Sequence, residues 1–213
     1  MPPPLHSFHS RQKRSKKRPH RAILTKAGWY RHRRVNDFLK GSNVYLIGMM
    51  GAGKTTVGKL LAAQLDYRFM DTDAVIEQVT GLPVVELFAQ SGEAAFRQME
   101  SQVLAELCAY MRLTIATGGG IVLKRENWGY LRHGIVVWLD VPVEQLQTRL
   151  EADTTRPLLQ DADPATRLQA LLEQRQPLYA QADVHIRYNA AETPEEVATR
   201  AIEQIKQALK PSV

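Results

Sequence analysis

The sequence contains a single cysteine, Cys108, among its 213 residues, so no disulfide can form within it. Persistent disulfides are a feature of oxidising compartments, and their absence is typical of a reducing one. The cysteine count therefore excludes a disulfide-stabilised secreted scaffold. It leads us to predict a cytoplasmic protein.

Long apolar runs are also missing. The longest apolar cluster, Ile135–Leu139, has the length of a β-strand and is far shorter than the roughly 18–20 residues that cross a bilayer. Hydrophobic residues make up 44% of the chain and charged residues 23%, which is an ordinary balance for a globular domain. The composition predicts a globular protein without a membrane segment.

Acidic residues are almost absent from the first 41 positions. Residues 1–41 hold twelve of the 28 Lys and Arg residues but only one of the 22 acids, Asp37. The segment has no sustained apolar period, so we predict a mostly disordered basic extension, followed by a domain over residues 42–213. Three interpretations of the extension remain open: no function, a weak contact with a polyanion, or a plastid import signal.

From residue 43 onward, strand-like and helix-like segments alternate. The predicted strands are Asn43–Ile47, Tyr67–Met70, Leu113–Thr117, Ile135–Leu139 and Val184–Ile186. The predicted helices are Lys54–Leu65, Ala74–Thr80, Gly92–Tyr110, one from Pro142, residues 164–181, and one capped by Thr193 with Glu196. Strands connected through helices pair in parallel with right-handed crossovers. The pattern predicts a three-layer α/β/α fold around a five-stranded parallel sheet.

A phosphate-binding loop follows the first predicted strand. Residues 48–55 read GMMGAGKT, which fits G-x-x-x-x-G-K-[ST] in its required context of a strand before and a helix after. In this motif backbone N–H groups surround the phosphates. Lys54 would reach the β- and γ-phosphates, and the Thr55 hydroxyl would hold Mg²⁺. The motif indicates a nucleoside triphosphate but leaves the acceptor open.

Two further segments follow the second and third predicted strands. Asp71 and Asp73 come after the second, and three consecutive glycines at positions 118–120 come after the third. The carboxyl ends of parallel strands share one edge of a sheet, where ligands bind. One carboxylate could support Mg²⁺ while the other orients an acceptor hydroxyl, or Asp73 could simply cap a helix. The glycines allow close approach to a ligand or form a plain turn.

Three arginines are candidates for anion binding. Arg97 lies on a predicted helix and can pair with Glu100. Arg156 lies in an irregular polar segment between two helices, where a mobile arginine could neutralise a transferring phosphoryl group. Arg175 lies on another predicted helix. For each of them taken singly, a solvated surface charge is the alternative interpretation.

Together these segments resemble the shikimate kinases from about Asn43 to Leu209. The resemblance is carried, in matching order and spacing, by GMMGAGKTT at 48–56, FMDTD at 69–73, TG at 80–81 with FR at 96–97, ATGGG at 116–120, RPLL at 156–159 and RQPLY at 175–179. It implies a P-loop kinase fold like that of nucleoside monophosphate kinases. It also implies a substrate-binding helical segment at about 73–100, a lid at about 152–164, and a monomer.

The resemblance implies a reaction: phosphoryl transfer from ATP, with Mg²⁺, to the 3-hydroxyl of shikimate in the chorismate pathway. A kinase of another polyol acid, such as gluconate, or of a nucleotide is the alternative. A hydroxyl-bearing acid suits Asp73 together with Arg97 and Arg175, because guanidinium groups bind carboxylates directionally. No base-reading pocket for a nucleotide acceptor is evident in the sequence.

The resemblance also implies roles for single residues. The ATP-binding residues would be Gly48, Met49, Met50, Gly51, Ala52, Gly53, Lys54, Thr55 and Thr56, with Arg149 packing on the adenine and Arg156 over the phosphates. Thr55 and Asp71 would form the Mg²⁺ site. Asp73 would bind the acceptor hydroxyl and assist its deprotonation. The shikimate pocket would contain Arg97, Glu100, Gly118, Gly119, Gly120 and Arg175. No adenine contact near residues 189–194 can be assigned.

Overall fold

The computed structural model of the chain describes residues 38–150, 164–189 and 192–210. Nearly all of the predicted basic extension lies outside these residues. The predicted lid at about 152–164 also lies outside them, except for its last residue. Arg156 belongs to this lid and is therefore not described. The predicted boundary between extension and domain stays a prediction.

A single five-stranded parallel sheet forms the centre of the domain. Its strands are β1 (Val44–Ile47), β2 (Arg68–Asp71), β3 (Leu113–Ala116), β4 (Ile135–Asp140) and β5 (Val184–Arg187), in the order β2-β3-β1-β4-β5. Strands β1 and β3 are buried along their whole length, as expected of central strands covered on both faces. The predicted sheet is confirmed.

Helices connect the strands. They are α1 (Lys54–Leu65), α2 (Thr72–Thr80), α3 (Val84–Cys108), α4 (Arg125–Leu131), α5 (Val143–Leu150), α6 (Pro164–Tyr179) and α7 (Pro194–Ala208), with a 3₁₀ turn at Ile121–Leu123. Helix α1 packs with α7, and α3 packs with α4. Within the described ranges, no helix has the length and apolar character needed to cross a membrane.

The register of the strands places three loops at one edge of the sheet. Near the carboxyl ends of the strands, Leu46 of β1 pairs with Ala116 of β3, and Ala116 also pairs with Asp71 of β2. The loops after β1, β2 and β3 therefore emerge side by side. The chain leaves β1 toward β2 and leaves β3 toward β4, in opposite directions across the sheet. Such a switch point is where open parallel sheets bind their ligands.

The helix predicted from Gly92 is present, but the helical segment that precedes it, from Val84, was not predicted. Helix α3 begins at Val84, and Gly92 is a kink within it with a φ of 77°. The Glu77 carboxylate of α2 accepts a 2.9 Å hydrogen bond from the Val84 N–H, so the first turn is stabilised from a neighbouring helix. No local pattern at residues 84–91 reveals this contact.

Helix α4 was not predicted, because its ends carry no local signal. No side chain caps its N-terminus. Asn127 Nδ2 donates to the Ile121 carbonyl at 2.7 Å and Trp128 Nε1 to the Val122 carbonyl at 3.1 Å. The helix is therefore held by buried hydrogen bonds to the 3₁₀ turn.

The capping box predicted for the last helix is confirmed: Thr193 Oγ1 accepts from the Glu196 N–H, and the Glu196 carboxylate accepts from the Thr193 N–H. We expect Thr193→Ala to lower the free energy of unfolding by about 1 kcal/mol, because one N–H at the helix start loses its acceptor. Urea unfolding measures this change. Thr199→Ala, an exposed threonine within the same helix, is the control and should change stability by less than about 0.5 kcal/mol. Equal losses in both variants would contradict the capping interpretation.

Candidate active site

The phosphate-binding loop leads directly into α1. Gly53 precedes the helix with a φ of 85°, a conformation that favours glycine. Lys54 Nζ donates to the carbonyls of Gly48 at 2.9 Å and Met49 at 2.7 Å. The ammonium group therefore lies against the loop, at a helix N-terminus that favours anions.

A cavity of about 300 Å³ opens beside this loop and includes Thr55, Asp71 and Asp73 in its lining. Thr55 Oγ1 donates a 2.7 Å hydrogen bond to Asp71 Oδ2. The other oxygen of Asp71 accepts from the Asp73 and Ala74 N–H groups at 3.0 and 3.4 Å, which makes Asp71 the N-cap of α2. The alternative that Asp73 caps this helix is therefore wrong.

The pair formed by Thr55 and Asp71 fits a magnesium ion that arrives with a nucleotide. Mg²⁺ prefers oxygen ligands and commonly takes one or two from the protein, with phosphates and water supplying the others. The described part of the chain has no cluster of three or more His, Cys, Asp or Glu residues that could hold a metal alone. The donor set thus suits a shared metal–phosphate site.

A second cavity, of about 330 Å³, adjoins the first and shares Asp73, Gly118 and Gly119 with it. Its apolar wall comes from the first part of α3 and includes Val84 and Phe88. Its polar lining consists of Asp73, Glu77, Arg97, Glu100 and Arg175 together with the three glycines. The structure therefore brings the predicted acceptor residues into one cavity, with Asp73 at its junction with the phosphate side.

Arg97 is held by two carboxylates. Its Nη1 donates to Glu100 Oε2 at 2.5 Å, and its Nε and Nη2 donate to Glu93 Oε1 at 3.2 and 3.0 Å. Arg97 is 9% exposed and Glu100 1%, so the predicted pairing of Arg97 with Glu100 is confirmed, but the surface alternative is wrong. Glu93 was not singled out in the sequence, although it lies one helical turn before Arg97.

The glycine run allows these side chains to approach the backbone closely. A Cβ atom on Gly118 would overlap the Glu100 carboxylate, and one on Gly120 would overlap the Arg97 guanidinium group. A plain turn would not impose this restriction. The close approach selects glycine at both positions.

Arg175 is a buried cation with little compensation. It is 2% exposed, and its Nη1 donates a long hydrogen bond of 3.3 Å to the Gly119 carbonyl. Its Nε has no hydrogen-bond partner among the residues described. The solvated-charge interpretation is wrong, and because burying a poorly compensated charge is costly, the position favours an anionic ligand.

Burial raises the pKa of the Glu100 carboxyl from 4.5 to about 7. The charge of Arg97 and its hydrogen bond act in the opposite direction, the negative charge of Asp73 adds to the increase, and Arg175 lowers the pKa. Glu100 therefore titrates near neutral pH within the cavity.

We expect this shift to appear in the pH dependence of stability. Between about pH 4.5 and 7 the folded chain binds more protons at Glu100 than the unfolded chain does, so the free energy of unfolding decreases as the pH rises. The Glu100→Gln variant should lack this pH-dependent decrease in the free energy of unfolding, which is on the order of 3 kcal/mol.

Urea unfolding between pH 4 and 8 measures the difference. Glu106→Gln, an exposed position on the same helix, should retain the wild-type dependence. A Glu100→Gln curve parallel to that of the wild type would refute the assigned pKa.

Arg149 lies at the outer side of the loop. Its Nη1 donates to the Gly51 carbonyl at 3.2 Å, and its guanidinium group lies 5.2 Å from the centre of the Tyr188 ring. The predicted adenine contact of Arg149 stays a prediction. Tyr188 was not predicted from the sequence, because it belongs to none of the recognised motifs. Its place beside Arg149 depends on how β5 pairs in the sheet.

A phosphate-binding loop at the switch point of a parallel sheet, with a hydroxyl–carboxylate pair and an adjoining cationic cavity, defines a P-loop kinase. The shikimate kinase family model matches residues 50–206. The shikimate kinase of Nostoc sp. strain PCC 7120 is 61% identical over 176 residues, which cover 83% of this chain and 97% of that protein. The chain belongs to the shikimate kinase family.

Other relatives agree. The shikimate kinase of Synechococcus elongatus is 56% identical and covers 82% of this chain and 92% of its own. Shikimate kinase from Acinetobacter baumannii in complex with shikimate has a TM-score of 0.75 at 39% identity, covering 82% of this chain and 98% of its own. The Aquifex aeolicus enzyme has a TM-score of 0.67 at 33% identity, covering 77% and 96%. The predicted family, fold class and kinase activity are confirmed.

Proposed function

We propose that this kinase transfers the γ-phosphoryl group of ATP to the 3-hydroxyl of shikimate, giving shikimate 3-phosphate in the chorismate pathway. The observation that carries the proposal is the buried, poorly compensated Arg175 in the same cavity as Arg97 and Asp73. A related enzyme was solved in complex with shikimate, which supports this choice of acceptor.

The carboxylate of shikimate binds between the two arginines. Arg97 is paired with Glu93 and Glu100, whereas the partners of Arg175 among the described residues, the Gly119 carbonyl and the Tyr179 hydroxyl, are neutral. Arg175 therefore contributes most of the attraction, and Arg97, fixed in place by its carboxylates, contributes direction. Guanidinium groups suit this role because they form directional, often bidentate, hydrogen bonds to carboxylates.

Asp73 orients the hydroxyl that is phosphorylated. It lines both cavities, which is the position required of a group between acceptor and donor. A carboxylate there accepts a hydrogen bond from the attacking hydroxyl and assists its deprotonation. Asp71, and not Asp73, caps α2.

The phosphates of ATP bind at residues 48–56, where the loop N–H groups, Lys54 and the start of α1 oppose their charge. Thr55 and Asp71 would hold Mg²⁺, which would neutralise phosphate charge. Arg149 contacts the adenine. The predicted role of Arg156 over the phosphates falls outside the described residues and stays a prediction. The cytoplasmic location, the monomeric state and the polyanion contact of the extension stay predictions.

A coupled assay of ADP release tests the acceptor. The purified full-length chain is given ATP and Mg²⁺ with shikimate, gluconate or AMP as acceptor. We expect ADP release when shikimate is the acceptor, and none when gluconate or AMP is the acceptor. Turnover of gluconate or AMP without turnover of shikimate would exclude the proposal.

We expect Arg97→Ala to raise the KM for shikimate at least about tenfold, because a charge-assisted contact to the carboxylate is lost and Glu100 loses its partner. The KM for ATP should stay within about twofold, since Arg97 does not line the phosphate cavity. Steady-state kinetics with each substrate varied in turn measures both constants. Arg132→Ala, at an exposed arginine, is the control, and an unchanged KM for shikimate in Arg97→Ala would remove Arg97 from the acceptor site.

A further inference from the structure

Two donors from one helix share the carbonyl of Gly119. Tyr179, the last residue of α6, donates from its hydroxyl at 2.6 Å, and Arg175, one turn earlier, donates from Nη1 at 3.3 Å. Hydroxyl donors reach their best geometry near 2.7–2.8 Å, whereas 3.3 Å is long for an N–H donor. The tyrosine therefore holds the stronger of the two bonds.

The carbonyl itself has little freedom to move. Gly119 lines both cavities, and a Cβ atom there would lie 3.3 Å from the Met50 nitrogen and 3.4 Å from the Gly48 oxygen. Its backbone is thus packed against the phosphate-binding loop. The long bond of Arg175 and the short bond of Tyr179 therefore end on the same closely packed acceptor.

The tyrosine is equally confined. Its side chain is 0% exposed, its ring lies 5.9 Å from that of Trp138, and its hydroxyl lies 3.6 Å from Met49 Sδ. Burial raises the pKa of Tyr179 to about 12, so the hydroxyl keeps its proton in the physiological range. It is a permanent donor at a fixed place.

We propose that Tyr179 is a positioning residue of the acceptor site: its hydroxyl occupies the Gly119 carbonyl and thereby leaves the Arg175 guanidinium group available to an incoming carboxylate. Without the hydroxyl, Arg175 loses its interaction with the Tyr179 oxygen, and its existing bond to the Gly119 carbonyl shortens and strengthens. Its attraction for an anion then decreases. The inference deepens the proposed function and rests on it.

The Tyr179→Phe variant removes the hydroxyl and keeps the ring. We expect the KM for shikimate to rise roughly fivefold, the effect of about one net hydrogen bond. The KM for ATP and kcat at saturating shikimate should stay within about twofold. If Tyr179 served only to pack the core, its replacement would not raise the KM for shikimate while leaving the KM for ATP unchanged.

Tyr45→Phe is the matched control. Tyr45 is also fully buried, its hydroxyl lies 3.0 Å from Cys108 Sγ, and it lines neither cavity. Both variants lose a buried hydroxyl, so both should lose stability in urea unfolding. Only Tyr179→Phe should change the KM for shikimate.

Two further replacements at position 179 complete the test. 4-Fluorophenylalanine has nearly the shape of tyrosine but no hydroxyl donor, so it should give the same rise in the KM for shikimate as Tyr179→Phe. It serves as the test variant if Tyr179→Phe fails to fold. 4-Aminophenylalanine keeps an N–H donor and should restore most of the affinity.

The inference is wrong if loss of the donor leaves the KM for shikimate unchanged, or raises both KM values alike. Absence of shikimate turnover in the wild type would instead defeat the proposed function, so the two failures are distinguishable.

Discussion

Parallel pairing of β1 with β3, and of β3 with β2, is the constraint on which the site depends. It brings the carboxyl ends of three strands to one level, so three loops far apart in the chain become neighbours. The first loop has the N–H groups for phosphate, the second has two carboxylates, and the third has the glycines. A slip in the pairing would separate Asp73 from Gly118, and the two cavities would no longer adjoin.

The cavities differ in how their charges are balanced. On the phosphate side Lys54 is held by backbone carbonyls, which are neutral acceptors that phosphate oxygens can outcompete. On the acceptor side Arg97 is balanced by two carboxylates, while Arg175 is balanced by none that contacts it among the described residues. Arg175 is thus the cation of the acceptor cavity whose described hydrogen bond goes to a neutral oxygen. Such a cation can bind an anion without first giving up an ion pair among the described residues.

Sequence reasoning found the parts of the fold and site that have local signals. Residues 48–55 are recognisable because their chemistry and spacing lie in one short segment, and the capping box around Thr193 is equally local. The burial of Arg97 and Arg175 was not foreseen, because exposure depends on what α3 and α6 pack against. Tyr179 stands within the quoted RQPLY segment, yet its partner Gly119 is 60 residues away. Helix α4 and the first half of α3 are likewise stabilised by contacts from other elements.

The kink at Gly92 divides α3 into one part that carries the apolar wall of the acceptor cavity and another that carries Arg97 and Glu100. A Cβ atom at Gly92 would meet no atom within 4 Å, so crowding does not require glycine at this position. The positive φ of 77° does, because other residues rarely adopt it. The two parts nevertheless touch across the kink: the Phe88 ring lies 4.6 Å from that of Phe96 and 5.8 Å from the Arg97 guanidinium group. A substitution at Phe88 therefore changes the wall of the cavity and the support of Arg97 together. The shape of this pocket and the placement of its charge are linked through one aromatic side chain.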